Sequence, residues 1–562
     1  MGFFWTILTL VVALGLAWRY LGSCMAAVFD GRVHWLRWAE RPIYRLLGTD
    51  PEHEQSWQRY AGSLIVFSGV SLGITYLILR VQGSLFLNPQ HLGAVPPALS
   101  FNTAASFLTN TNWQNYGGET TMSYFSQIGA LTVQQFVSPA VGIAAAIALV
   151  RGFSRRKSAT IGNFWVDVTR CLLYILLPIA IVAGLVFVGE GAVQTLAGTA
   201  TIHDVLNNVT QTIARGPIGF MEAIKQLGTN GGGFLNANSA DPFENPTALT
   251  NWLSIFLLLC IPFALTYTFG KMVGSVRHGV ALLSAMLIIF GSWVAFTSYA
   301  EHQGNPAVAA AGITHQPTGN TEGKEVRFGD TTTALFGVAS TNTSTGSANA
   351  SYDSFTPIGG LGLLTGMMLG EVTPGGTGSG LYTLLVYAVI AVFIGGLMIG
   401  RTPEYLGKKI QAREVKLAGL ASLVMPLVVL ILTGIAVSIH AGRAGPLNAG
   451  PHGFTEILYA LTSQGNNNGS AFGGLTGNTT FYNVVGGIDM LLGRFAIMIP
   501  ALALGGSLAA KNVVPESLGT FRTDNGMFVG LTIGVIIIIG GLTFFPAISL
   551  GPIVEQLSHH LF

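Results

Sequence analysis

The chain has 562 residues, half of them hydrophobic and only 9% charged, against roughly a quarter charged in an ordinary soluble domain, so a soluble fold of this size is excluded. A net charge of +2, with no basic block carrying interleaved aromatics, excludes a nucleic-acid partner. Cys24, Cys171 and Cys260 are too few and too widely spaced for a disulfide framework or a zinc site.

About twenty apolar residues cross a bilayer as helix. Windows of that length fall at 3–22, 62–80, 128–150, 171–189, 252–270, 279–299, 381–400, 417–439, 484–508 and 527–549, which predicts ten spans. The first has no basic stretch before its apolar run and carries Arg19 after it, the reverse of a signal peptide, so it is expected to be retained. Lys and Arg gather in alternate loops, above all 151–158 and 400–416. These loops are therefore expected inside and both termini outside.

Spans two to nine pair as helix, long loop, helix. Each long loop holds a proline-led semi-apolar segment and then a polar turn: 97–108 with 109–118, 216–227 with 229–239, 357–368 with 373–380, and 451–462 with 464–472. Proline suits the first helical turn. Twelve residues of helix reach only about 18 Å, too short to span, so these segments are expected to be re-entrant and to line a polar cavity. The turns are rich in glycine, which totals 73 residues, nearly twice the usual ~7%. Backbone carbonyls with Thr and Asn oxygens can replace the water of a cation without a fixed negative charge. Glycine lets the chain turn such carbonyls inward, and four helix C-termini, each worth about −0.5 charge, would favour a cation among them.

The expected fold is thus an all-α integral membrane protein of about ten transmembrane helices, with four helix–pore-loop–helix repeats around one ion pore and one extra helix at each end. Residues 1–61 hold the first helix and a cytoplasmic loop. Pore repeats one to four occupy 62–150, 171–270, 279–400 and 417–508, and 527–549 is the last helix.

At TNTNWQNYGGE, TNGGGFLNANSADPFENPT, GKEVRFG with SYDSFTPIGG, LGEVTPGGTGSGLY and NNNGSAFGGL, the sequence resembles the potassium-binding A subunits of Kdp potassium-transporting ATPases (KdpA), along nearly the whole chain. The resemblance implies the potassium-transporter superfamily fold and high-affinity uptake of extracellular potassium. It also implies partnership with a P-type ATPase B subunit, a C subunit and a small F peptide in a bacterial inner membrane. Carried over by position, the filter includes Thr109, Asn110, Thr111 and Asn112, then Thr229, Asn230, Gly231 and Gly232, then Gly375 and Gly376, and last Asn467, Asn468 and Gly469. The TPGG of the third unit departs from the family pattern, because Pro374 fixes a dihedral and removes a donor.

Arg494 falls mid-span, where an arginine costs about 2.5–3.5 kcal/mol. Asp489, five residues earlier, lies about 140° around the helix and is a poor same-face partner. The resemblance puts such an arginine on the ion path below the filter, while pairing or snorkelling is the structural alternative. Glu371, Glu119, Glu222 and Glu456 flank the pore segments and could attract cations or simply accept hydrogen bonds. Neither GxxxxGK[ST] nor DKTGT occurs, so no nucleotide site and no ATP hydrolysis are expected of this chain alone. Pore physics is shared by a pump subunit and by an autonomous potassium channel or symporter, and only the Kdp-like strings favour the pump.

Overall fold

The computed structural model describes residues 2–203, 209–398, 400, 402–515 and 521–558. Ile399 and Arg401, which belong to the seventh window and the following basic loop, lie outside the described residues. Among the described residues, ten helices are long and apolar enough to cross a membrane. They are Phe3–Phe29, Trp57–Ser84, Ser126–Ser154, Phe164–Gly189, Ala248–Met272, Val276–Ala310, Ser379–Met398, Ala412–Ser438, Thr480–Ala509 and Gly526–Leu557.

Side-chain caps fix several of their starts. Ser56 accepts from Arg59 N, Asn525 accepts from Phe528 N, and Thr247 with Thr250 forms a reciprocal box that satisfies two otherwise orphaned amides. Burial then sorts the spans. The third, fifth, seventh and ninth have 89%, 72%, 72% and 61% of their most apolar window buried, whereas the second, fourth, sixth and eighth have 22%, 44%, 39% and 39%. The second helix of each unit is therefore central and the first helix peripheral, and apolar side chains of the outer helices such as Val66, Val182 and Leu427 are left exposed. The first span is the most peripheral, at 11%, and packs along the fifth.

The central helices meet closely. A methyl on Gly152 of the third span would lie 2.5 Å from Cα of Gly505 on the ninth, so glycine sets that approach. At the end of these two helices the hairpin of Glu404–Tyr405 and Lys408–Lys409 inserts Lys408, whose Nζ donates to Gly152 O at 2.7 Å and Leu508 O at 2.6 Å, as well as to Arg155 O. One cation thus satisfies orphan carbonyls of two helix C-termini.

Four short helices end inside the bundle: Pro97–Leu108, Ile218–Leu227, Gly329–Thr341 and Gly450–Gly465. Three coincide with segments expected from the sequence. The third corrects the expectation, because Pro357–Met368 does form a helix but lies after the re-entrant one. It is followed by the turn at 369–378 and then by Ser379–Met398, so it forms the first half of an interrupted crossing.

Candidate functional site

Each of the four short helices ends in the same backbone device. Near its C-terminus one carbonyl accepts the amide five residues on: Ser106 O from Thr111 N at 3.0 Å, Lys225 O from Asn230 N at 2.8 Å, Ser340 O from Thr345 N at 3.2 Å, and Ser463 O from Asn468 N at 2.8 Å. The residue just before each captured amide is left-handed, with φ of +68° at Asn110, +49° at Thr229, +53° at Ser344 and +59° at Asn467. Left-handed backbone is costly for residues with a side chain, and Asn tolerates it best among them. Four repetitions of one strained register identify the four turns as structural equivalents.

The next position is occupied by Asn112, Gly231, Gly346 and Gly469, and here the turns touch. A methyl on Gly231 would lie 2.1 Å from Gly346 N, one on Gly346 would lie 2.9 Å from Gly469 C, and one on Gly469 would lie 1.9 Å from Thr111 O. A methyl on Gly232 would meet Asn112 Cβ at 2.9 Å, which closes the circle between the second turn and the first. The result is a ring of backbone into which four helix C-termini point. It opens on one face of the protein, called here the mouth face, into a cavity of about 590 Å³ lined by Asn112, Gly346, Gly469, Trp113 and Phe472 among others. Both side-chain polar atoms of Asn112, a residue 2% exposed, lack a hydrogen-bond partner among the described residues.

Thr109, Asn110, Thr111, Asn112, Thr229, Asn230, Gly231, Gly232, Asn467, Asn468 and Gly469 all lie in or against this ring. Gly375 and Gly376 do not occupy the third position. Gly375 N donates to Asn342 O at 2.7 Å, and a methyl on Gly376 would meet Ser344 Cβ at 2.8 Å, so these glycines sit behind the third turn and brace it. The third position belongs to Thr343, Ser344, Thr345 and Gly346. Their helix has no proline in or just before its first turn, the feature used to find the other three, but TNTSTGSANA itself carries the small polar residues and the glycine that mark such a turn.

Polar side chains lock the ring from behind. Asn110 donates to Thr229 O at 2.9 Å and accepts from Asn230 Nδ2 at 2.8 Å and Ser138 Oγ at 2.8 Å. Thr109 Oγ1 and Thr111 Oγ1 are 2.7 Å apart, and Thr377 N donates to Thr229 Oγ1 at 3.1 Å. Asn467 Nδ2 donates to Thr111 Oγ1 at 3.0 Å, joining the fourth turn to the first. Between the third and fourth turns the buried Glu371 accepts from Asn468 Nδ2 at 2.8 Å and from Ser344 Oγ.

Arg494 is 4% exposed and forms no ion pair among the described residues, Asp489 included. Its Nη2 donates to Ser138 O at 3.0 Å. A methyl on Gly142, one turn further along the third span, would lie 3.0 Å from the same nitrogen and 2.6 Å from Thr377 O. The guanidinium therefore stands on the side of the ring away from the mouth, one residue's contact from Asn110. The other carboxylates are held by structural bonds. Glu119 accepts from Asn236 N at 2.9 Å, and burial pushes its carboxyl above the ordinary value. Glu456 accepts from Asn448 and Leu447. Glu222 forms a buried triad with Lys225, at 2.5 Å, and Glu244. Lys225 Nζ also donates to Asn238 Oδ1 at 3.0 Å, and Asn238 Nδ2 donates to Gly231 O at 2.7 Å, so the triad bears on the ring.

The crystal structure of the potassium transporter TrkH from Vibrio parahaemolyticus has the same fold, with a TM-score of 0.51 over 87% of this chain and 96% of that one, at 15% identity. Two potassium-transporting ATPase potassium-binding subunits are far nearer in sequence. That of Mesorhizobium japonicum is 55% identical over 97% of this chain and 96% of its own length, and that of Granulibacter bethesdensis is 54% identical over 96% and 95%. The model of the potassium-transporting ATPase A subunit (KdpA) matches residues 7–557, and the chain belongs to that family.

Proposed function

We propose that the ring of four turns binds potassium arriving from the mouth face and delivers it into the membrane, as the ion-selecting, non-hydrolytic subunit of an ATP-driven uptake complex. The observation that carries this reading is the single backbone register repeated four times around one point, with glycine or asparagine at each contact. Such a ring offers carbonyl oxygens in place of a hydration shell, and the helix C-termini behind it favour a cation over an anion. The names of the 52–55% identical relatives supply the ion.

The filter is assigned to residues 109–112, 229–232, 343–346 and 467–469, with Glu371 and Arg494 beside the path. The partners are a P-type ATPase B subunit, a C subunit and a small F peptide. The chain sits in the bacterial inner membrane with the mouth face and both termini outward, an orientation supported by the basic loops on the opposite side.

The test is reconstitution of the chain alone and of the complete complex in vesicles, with potassium accumulation measured against a gradient. ATP-dependent accumulation only by the complex is expected. Accumulation by the chain alone on a sodium or proton gradient would overturn the pump-subunit reading in favour of the symporter, and passive flux through the chain alone would favour the channel.

A further inference from the structure

Outside the ring, one cluster of ligating side chains stands at the mouth face. Asp353 lies just before the interrupted crossing, His452 and Glu456 lie one turn apart at the start of the fourth short helix, and Glu555 lies at the end of the last span. Asp353, His452 and Glu456 each offer one ligand atom, and these atoms all lie within 4.8 Å of one another. His452 Nδ1 is 2.8 Å from Glu555 Oε1, and Nε2 is 2.9 Å from Asp353 Oδ1. Glu456 is aimed by Asn448 Nδ2 at 2.7 Å and Leu447 N at 3.1 Å. Gly474 leaves room for the carboxylates, since a methyl there would lie 2.2 Å from Glu456 Oε1 and 3.0 Å from Asp353 Oδ1.

We propose that Asp353, His452 and Glu456 form a binding site for a divalent transition-metal ion of the zinc class, with Glu555 as the group that orients the histidine. A metal-ligating imidazole characteristically donates its other N–H to a carboxylate, which fixes the tautomer and the ring plane. Glu555 stands where that acceptor belongs, leaving Nε2 to face the metal beside Asp353 and Glu456. Zinc takes nitrogen and oxygen ligands at about 2.0–2.2 Å in a tetrahedron. Neighbouring ligand atoms then lie about 3.3 Å apart, so the Nε2–Oδ1 separation widens by only about 0.4 Å.

Among the described residues, three carboxylates face one imidazole here, and none of the three pairs with lysine or arginine. A divalent ion answers that excess better than a proton on the imidazole does. Nitrogen in the set favours zinc, cobalt or nickel over calcium or magnesium. The partly exposed Asp353, whose side chain is 22% accessible, gives the way in. The site goes beyond potassium binding but adjoins it. Asp353 N donates to Phe472 O at 2.8 Å, Phe472 stacks on Tyr459 with centroids 4.2 Å apart, and Tyr459 OH meets Ser470 Oγ at 2.9 Å, two residues past Asn468.

The experiment uses the purified complex containing the full chain, stripped with chelator and dialysed against zinc chloride, with bound metal counted by mass spectrometry. Wild type is compared with His452→Gln, Asp353→Asn and Glu555→Gln, each accepted only as a monodisperse complex of wild-type elution. One zinc per complex is expected to be lost from the first two variants, through affinity at least a hundredfold weaker. Affinity in Glu555→Gln is expected to fall ten- to a hundredfold. Equal zinc content in wild type, His452→Gln and Asp353→Asn would overturn the proposal, as would calcium competing with zinc at equal concentration. Asp353→Asn, at a partly exposed position, keeps the test decisive should the buried histidine prove necessary for assembly.

Discussion

Replacing Gly469 by alanine probes the ring where it is tightest. The added methyl would stand 1.9 Å from Thr111 O, whereas carbon–oxygen contact needs about 3.4 Å, so the carbonyl must retreat by roughly 1.5 Å or the fourth turn must. The residue also sits at φ +95°, and left-handed backbone costs a side-chain-bearing residue about 1–2 kcal/mol. That strain alone shifts an equilibrium requiring the native ring by roughly five- to thirtyfold. Gly346→Ala is milder, since its methyl meets Gly469 C at 2.9 Å and needs a retreat of about 0.6 Å or more, with no left-handed penalty. Gly434→Ala, with nothing within 4 Å, is the control. The assay is ion-stimulated ATPase activity of the purified complex, read as the ratio of apparent affinities for potassium, rubidium and sodium. Discrimination should fall at least tenfold in Gly469→Ala, less in Gly346→Ala and not at all in the control. A wild-type ratio in Gly469→Ala would refute the ring as the selective element.

Arg494→Met removes the charge while keeping most of the volume, and should alter potassium-stimulated ATPase activity with little loss of thermal stability; wild-type stimulation would leave Arg494 a packing role only. Lys225→Met strands Glu222 and Glu244 without a cation, a change worth about 3–5 kcal/mol, so the melting temperature of the complex should fall clearly, and an unchanged one would show that the triad does not hold the second turn. Glu54 lies in a loop outside the spans: burial alone would raise its carboxyl, but Arg155, at 2.5 and 2.7 Å, and Thr160 hold it below the ordinary 4.5. Its contribution is therefore present above pH 4.5 and lost as pH falls through the lowered value. Wild type should lose more thermal stability between pH 6 and pH 3.5 than Glu54→Gln, and parallel losses would contradict the assignment.

Hydropathy located the ten crossings because each is a long apolar window, and proline located the first and last short helices because Pro97 and Pro451 stand in their first turns. The same signal misled in the third unit. Pro357 also opens a helix, but proline marks a helix start whether that helix is re-entrant or half of an interrupted crossing, and twelve apolar residues fit both. Gly329–Thr341 begins instead from Phe328 with Asp330 in its first turn and reads as an ordinary loop helix. Asn110, Thr229 and Asn467 were within reach of sequence because turn residues concentrate there. Ser344 was missed because proline drew the third turn to 373–380, although the small polar residues and glycine of TNTSTGSANA mark a turn there too. The partners of Glu371 and Arg494 lie at separations of 27, 97 and 356 residues, and only the folded chain brings them together.

The five-residue catch has a bearing on how far these repeats can diverge. Donor and acceptor are both main-chain atoms, the acceptor supplied by serine in three units and by lysine in the second, the donor by threonine or asparagine, so side-chain identity is free to drift while the geometry of the turn persists. Within the ring, neighbouring backbones leave no room for a β-carbon at Gly231, Gly346 and Gly469, so there the residue type is constrained. A chain built this way can share a whole architecture with a protein only 15% identical to it, and a search for relatives at that distance would do better to look for four spaced glycine or asparagine positions than for any conserved string.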